Sequence, residues 1–157
     1  MREILVLLSL WGLAILMLVW KVPKNKRRDA QIVLLFSQSI GWLFVYIQTL
    51  LGRMKFPFRE FPDATKMSFT LYYLFYPAIG VLFILGYPKK GFWHKFLYFS
   101  LTAFGIQLSA WLLAEYTDLM EYTRYSWLLT FAVNFMILVI IRIFYVWFQK
   151  GFTYERG

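Results

Sequence analysis

Nine side chains in this sequence could hold a ligand. Arg59, Glu60 and Lys66 share one connector, Gln38, Tyr72, Tyr76, Gln107 and Asn134 lie within apolar runs, and Glu115 sits at the end of one. A guanidinium and an ammonium so close together can take a phosphate or carboxylate, the first bidentately and the second as a point charge. A helix starting just after them would add its unpartnered first amides to the same anion site. Candidate anions are a lipid phosphate, a carboxylate solute, or the local acids Glu60, Asp63 and Glu115, which would instead leave the loop capped and internally paired. For catalysis, the outer acids Glu60, Asp63, Glu115, Asp118 and Glu121 could work as acid and base, yet nothing sets their separation. There is no recognisable nucleophile, metal cluster or phosphate-binding glycine loop. With no cysteine and His94 alone, disulfide, thiolate and all-histidine metal chemistry within one chain are excluded. No catalytic residue, metal ligand or cofactor is assigned.

The elements that must position these groups are legible in the composition. The chain has 157 residues, 61% of them apolar, 22% aromatic and 16% charged, which exceeds the apolar share of an ordinary soluble domain. Five runs approach the roughly 20 apolar residues needed to cross a bilayer: Ile4 to Trp20, Ile32 to Leu51, Phe69 to Tyr87, Leu97 to Ala114, and Trp127 to Phe148. The expected fold is all-α, a polytopic membrane bundle of five transmembrane helices forming a single domain, 1–157. The first run reads as a retained anchor rather than a signal peptide, because "VWKVPKNKRRD" follows it where small residues should mark a cleavage site.

Lysines and arginines concentrate in the first loop (Lys21, Lys24, Lys26, Arg27, Arg28), the third (Lys89, Lys90, Lys95) and the tail. The positive-inside rule then puts the N-terminus outside and the C-terminus in the cytoplasm of a cell membrane. The net charge of +9 flanks apolar spans, so it implies anionic lipid headgroups as partners and no nucleic acid. Arg142, inside the last run, is expected to snorkel to those headgroups, and His94 to lie at the same interface.

Helical periodicity sorts the polar positions. Gln31, Gln38, Gly41, Gln48 and Gly52 fall on one face of the second run, where the glycines should permit close helix approach. Ser68, Tyr72, Tyr76 and Gly80 form an i, i+4 row on the third, and Pro77 there leaves the Tyr73 carbonyl without its usual donor. Gln38, Tyr76, Gln107 and Asn134 all come near the middle of their spans. Such groups must pair with one another, with freed backbone or with water, either as interhelical contacts or as the lining of a central cavity. In the second connector, Pro57 and Pro62 stiffen "FPFREFPDATKMSFTLYY", whose phenylalanines should lie at the interface or fold over the bundle mouth, with Asp63 or Thr65 capping the third helix.

"FPFREFPDATKMSFTLYYLFYP", "LGYPKKG" and "LLAEYTDLMEYTRYSW" resemble a family of small uncharacterised five-span membrane proteins found mainly in endospore-forming Gram-positive bacteria. Pro57, Arg59, Phe61, Ala64, Thr65, Lys66, Ser68, Phe69, Tyr76, Pro77, Tyr87 and Pro88 carry the match, with Glu115 and Tyr116 as a second, weaker one. The resemblance implies fold and membrane location and no activity. The expected function is non-enzymatic binding of a small solute or lipid headgroup at the outer loop and central polar layer, as a transporter or channel-like subunit. The alternatives are an accessory subunit docking another membrane protein, and a lipid-modifying enzyme using the outer acids. Self-association into a homo-oligomer is compatible with the first two.

Overall fold

The computed structural model describes residues 1–124 and 126–155. It is an all-α bundle with a two-stranded clasp. Helix α1 spans Arg2–Lys21 and joins, through one 3-10 turn at Lys24–Lys26, helix α2 at Arg27–Leu50. A short strand β1 (Met54–Lys55) follows, then a π-helical turn Leu71–Phe75 that runs directly into α3 (Tyr76–Leu85). Helix α4 covers Phe92–Tyr116, strand β2 Glu121–Tyr122, and α5 Trp127–Glu155.

Four of the helices, α1, α2, α4 and α5, are long and apolar enough to cross a membrane. The third helical stretch, Leu71–Leu85, is shorter, and this is where the expected set of five spans differs from the structure. Its environment supplies the reason. Phe75, Pro77, Ala78, Val81, Phe83 and Ile84 are buried, so this segment is the core around which the longer helices pack. By contrast α1 buries only Leu7 and Ala14 among its own residues. An apolar face that covers other helices needs less length than one that must match hydrocarbon.

Pro77 shapes that central helix. It has no N–H to give the Tyr73 carbonyl, and two features answer the defect: the backbone widens into the π-helical turn, and Gln38 Nε2 on α2 donates to Tyr73 O at 2.6 Å. An amide contributing one such interhelical bond stabilises a membrane bundle by about 1 kcal/mol. The glycines behave differently from expectation. A Cβ at Gly41 or Gly52 would meet nothing within 4 Å, so neither is a close-approach position. Gly80 is one, since a Cβ there would lie 2.7 Å from Ser37 Oγ and 3.6 Å from Ile141 Cδ1. Gly52 serves instead as a helix stop: at φ 66° it lets its own N–H reach Thr49 O at 3.1 Å and the Arg53 N–H reach Gln48 O at 3.0 Å.

Strands β1 and β2 are antiparallel, with Met54 opposite Tyr122 and Lys55 opposite Glu121. They clasp the connector after α2 to the connector before α5. Thr123 N–H to Arg53 O at 3.0 Å and Phe58 N–H to Asp118 O at 2.9 Å extend the clasp. We call this the clasp end of the bundle, and the opposite end, with Lys24 to Arg28, the basic end.

Candidate functional site

The connector from Gly52 to Ser68 packs down onto the bundle. Met54 and Phe56 are buried, and Phe56 meets Tyr72 edge to face at 5.9 Å. Phe61 stays half exposed but places its edge on Phe69 at 5.6 Å. The cap of the third helix comes from neither Asp63 nor Thr65. Glu60 takes that role: the Thr70 N–H donates to Oε1 at 2.9 Å, the Phe69 N–H to Oε2 at 3.1 Å, and the Ser68 hydroxyl to Oε1 at 3.1 Å. Asp63 is exposed, and Thr65 Oγ1 only accepts the Met67 N–H two residues on. A carboxylate reaching back from eight or more residues upstream can bridge both helix amides at once, which a hydroxyl adjacent to the helix cannot. Partial burial works to raise the Glu60 pKa, but the hydrogen bonds from Thr70 and Phe69 outweigh it and the net shift is downward. Thr70 also accepts a hydrogen bond from Trp11 Nε1 at 2.8 Å, so the same cap ties α1 to the third helix.

With Glu60 committed to the helix, Arg59 and Lys66 are left without an acid. Among the described residues the ion pairs are Met1 and Arg2 with Glu3 and Arg2 with Asp118, and none involves Arg59 or Lys66. Arg59 is half buried; Nη1 donates to Thr65 O at a long 3.4 Å and the buried Nε has no partner. Both bases line a groove of about 710 Å³ between the loop and α2, whose apolar wall includes Trp42, Leu43 and Tyr46. Asp63 also borders it. Leu43, Tyr46 and Leu50 are more than half to two-thirds exposed, at 56%, 53% and 65%, so the groove opens sideways onto the outer apolar surface of the bundle.

The polar groups expected near the middle of the helices divide into two sets. Gln38 holds the Tyr73 carbonyl, and Asn134 Nδ2 donates to Oε1 of the fully buried Gln107 at 3.1 Å, joining α5 to α4. Tyr72, Tyr76 and Asn134 face a separate internal cavity of about 100 Å³ between α2, α3, α4 and α5. Glu115 is exposed at the end of α4 and takes part in neither place. The nine expected site residues are thus split: Arg59 and Lys66 in the groove, Tyr72, Tyr76 and Asn134 at the cavity, Gln38, Gln107 and Glu60 in structural hydrogen bonds, and Glu115 apart.

Sequence reasoning did not single out Trp42, Tyr46, Ser37, Arg53 or Arg124, which line the groove or the cavity. Trp42 and Tyr46 had an i, i+4 signal on α2. Arg53 and Arg124 had none, because only the clasp brings two connectors so distant in sequence side by side. Arg142 has its guanidinium 4.0 Å from the Tyr87 ring centroid, a cation–π contact just beyond the end of the central helix.

The fold and these sites define an all-α bundle with four helices suited to a membrane, a lateral basic groove and an internal cavity. In comparisons with known proteins, the chain matches no family model, no curated sequence and no solved structure.

Proposed function

We propose that the chain is a five-span, non-enzymatic protein of the cell membrane, with its clasp end outside and its C-terminus in the cytoplasm, that seats an anionic headgroup in the groove between α2 and the outer loop. The observation that carries this reading is Arg59: half buried, its Nε without a partner, and beside Lys66, with neither in an ion pair among the described residues. A buried guanidinium N–H left without an acceptor is costly, and an incoming phosphate or carboxylate removes that cost. The exposed leucines and aromatic rings below the bases provide an apolar track for an acyl chain, so a membrane phospholipid satisfies both parts of the groove. The central helix counts as the fifth span in this reading because the chain must return to the basic end before α4 begins, and the surrounding helices shield its shorter length.

The test uses the purified protein in nanodiscs of zwitterionic lipid doped with phosphatidylglycerol. Arg59→Gln combined with Lys66→Gln should remove most of the thermal stabilisation that the anionic lipid confers, while Lys90→Gln at the other end leaves it unchanged. Equal stabilisation of the double variant and the parent would sink the assignment. A reporter active only outside the cytoplasm, fused to the C-terminus, should be silent.

A further inference from the structure

Three charged side chains line the groove between α2 and the outer loop, and one of them is an acid. Arg59, Asp63 and Lys66 all border it. A single tight turn carries them: the Ala64 and Thr65 N–H groups both donate to Phe61 O, at 3.1 and 3.0 Å, while Arg59 Nη1 reaches across to Thr65 O at 3.4 Å. Among the described residues Asp63 forms no ion pair, either with Lys66 three positions on or with Arg59 four positions back. The acid that caps the third helix is Glu60, so Asp63 remains an exposed carboxylate at the edge of a site that also holds two bases.

The groove also has a direction. Leu50, Tyr46 and Trp42 follow one another at one-turn intervals on α2, so the apolar wall runs roughly 12 Å from the loop toward the middle of that helix. Tyr46 and Trp42 give this wall rings with one polar tip each, side chains that suit the boundary between lipid heads and chains. A guest lying here has its charged part against the turn and its apolar part along α2. The volume of about 710 Å³ accommodates a headgroup together with the first part of a chain.

We infer that the phosphate-bearing head seated in this groove also carries a primary ammonium, so that the groove selects an aminophospholipid of the phosphatidylethanolamine type. The inference rests on the headgroup site proposed above and names what that site prefers. A head that is only a phosphate satisfies Arg59 and Lys66 but lies beside a carboxylate of its own sign, which repels it. A head with an ammonium two carbons from its phosphate answers both signs: the phosphate accepts from the two bases, and the ammonium donates to Asp63. Because Asp63 is exposed, its pairing contributes a modest factor, roughly threefold in affinity. The bases hold the lipid, and the acid chooses among lipids.

The experiment places the full chain in phosphatidylcholine nanodiscs and follows the thermal unfolding midpoint against the mole fraction of an added lipid. The added lipids are phosphatidylethanolamine, its N-methyl and N,N-dimethyl derivatives, and phosphatidylglycerol. Methylation keeps the charge and removes N–H donors one at a time, so the series separates a hydrogen-bonded ammonium from charge attraction alone. Phosphatidylethanolamine should reach half of its stabilisation at roughly a threefold lower mole fraction than the dimethyl derivative. Asp63→Asn should erase that difference, and it should bind phosphatidylglycerol more tightly than the parent does, because the acid no longer repels the phosphate. Any general effect of phosphatidylethanolamine on the bilayer acts equally on parent and variant, so a preference that survives Asp63→Asn overturns the inference. Equal responses to the unmethylated and dimethyl lipids in the parent overturn it as well, as does weaker phosphatidylglycerol binding in Asp63→Asn, which would assign the acid to the shape of the turn. The site and its selectivity fail separately. Stabilisation by phosphatidylglycerol that depends on Arg59 and Lys66, with no preference for the amine, leaves the headgroup site standing and removes the selection; stabilisation unchanged in the Arg59→Gln, Lys66→Gln variant removes both.

Discussion

The two ends of the bundle each tie down a carboxylate, in different ways. At the basic end Asp29, at the start of α2, accepts from the Tyr145 hydroxyl at 3.0 Å and from Gln149 Nε2 at 2.7 Å, both on α5, while Arg142 lies on the Tyr87 ring. At the clasp end the acid is likewise used for architecture, as Glu60 holds the first amides of the third helix, and the ion pairs of Arg2 with Glu3 and Asp118 lie at the same end. Arg53, Arg59, Lys66 and Arg124 border cavities and form no ion pair among the described residues. In a bundle built from apolar helices, carboxylates act as staples at both ends. The difference lies in what the carboxylate grips: side chains of another helix at the basic end, backbone amides of a helix start at the clasp end.

The strongest challenge to this contrast is removal of the clasp-end staple. Glu60→Ala should lower stability by about 2 kcal/mol, the upper range for loss of a helix cap, because amides of Phe69 and Thr70 lose their acceptor together. Measured by thermal unfolding in nanodiscs, a change below the error of the assay would show that the cap is incidental. Asp29→Ala should cost less, about 1 kcal/mol, since the side-chain donors it frees lie at a partly exposed position where water can replace the carboxylate, and it should leave phosphatidylglycerol binding untouched. A loss of lipid binding in Asp29→Ala would break the division of labour between the ends.

A smaller, pH-dependent signature sharpens the comparison. The folded Glu60 pKa is lowered from the ordinary 4.5, so the cap's contribution is complete above about that pH. It is lost as pH falls further, through the depressed folded value. Unfolding midpoints measured across this range should therefore drop with acid in the parent, and Glu60→Gln should flatten that part of the profile. The smallest expected effect is that of Arg142→Lys, about 0.5–1 kcal/mol from a weakened stack on Tyr87, with no change in headgroup binding.

Much of this was legible in the residues. Apolar run lengths located the helices to within a few positions for α1 and for the third helical stretch Leu71–Leu85, while α2, α4 and α5 extend further at one or both ends because their polar flanking turns remain helical. The defect at Pro77 announced that the Tyr73 carbonyl needed another donor, and the Tyr72, Tyr76, Gly80 row does share one face. The cap was misplaced because local rules favour the nearest oxygen, whereas Glu60 reaches the helix through a loop that turns back on itself.

Composition and periodicity by themselves determined an apolar all-helical chain, the approximate extent of its long helices and which residues share a helical face. Those properties follow from short-range geometry and from the cost of burying unpaired backbone in an apolar medium. Only the tertiary structure decided that the proline-broken helix is the core, that Gly80 rather than Gly41 admits a neighbour, and that Arg53 and Arg124 line one cavity. These depend on contacts between segments tens of residues apart, where a single antiparallel clasp of Met54 with Tyr122 sets the register and no local pattern records it.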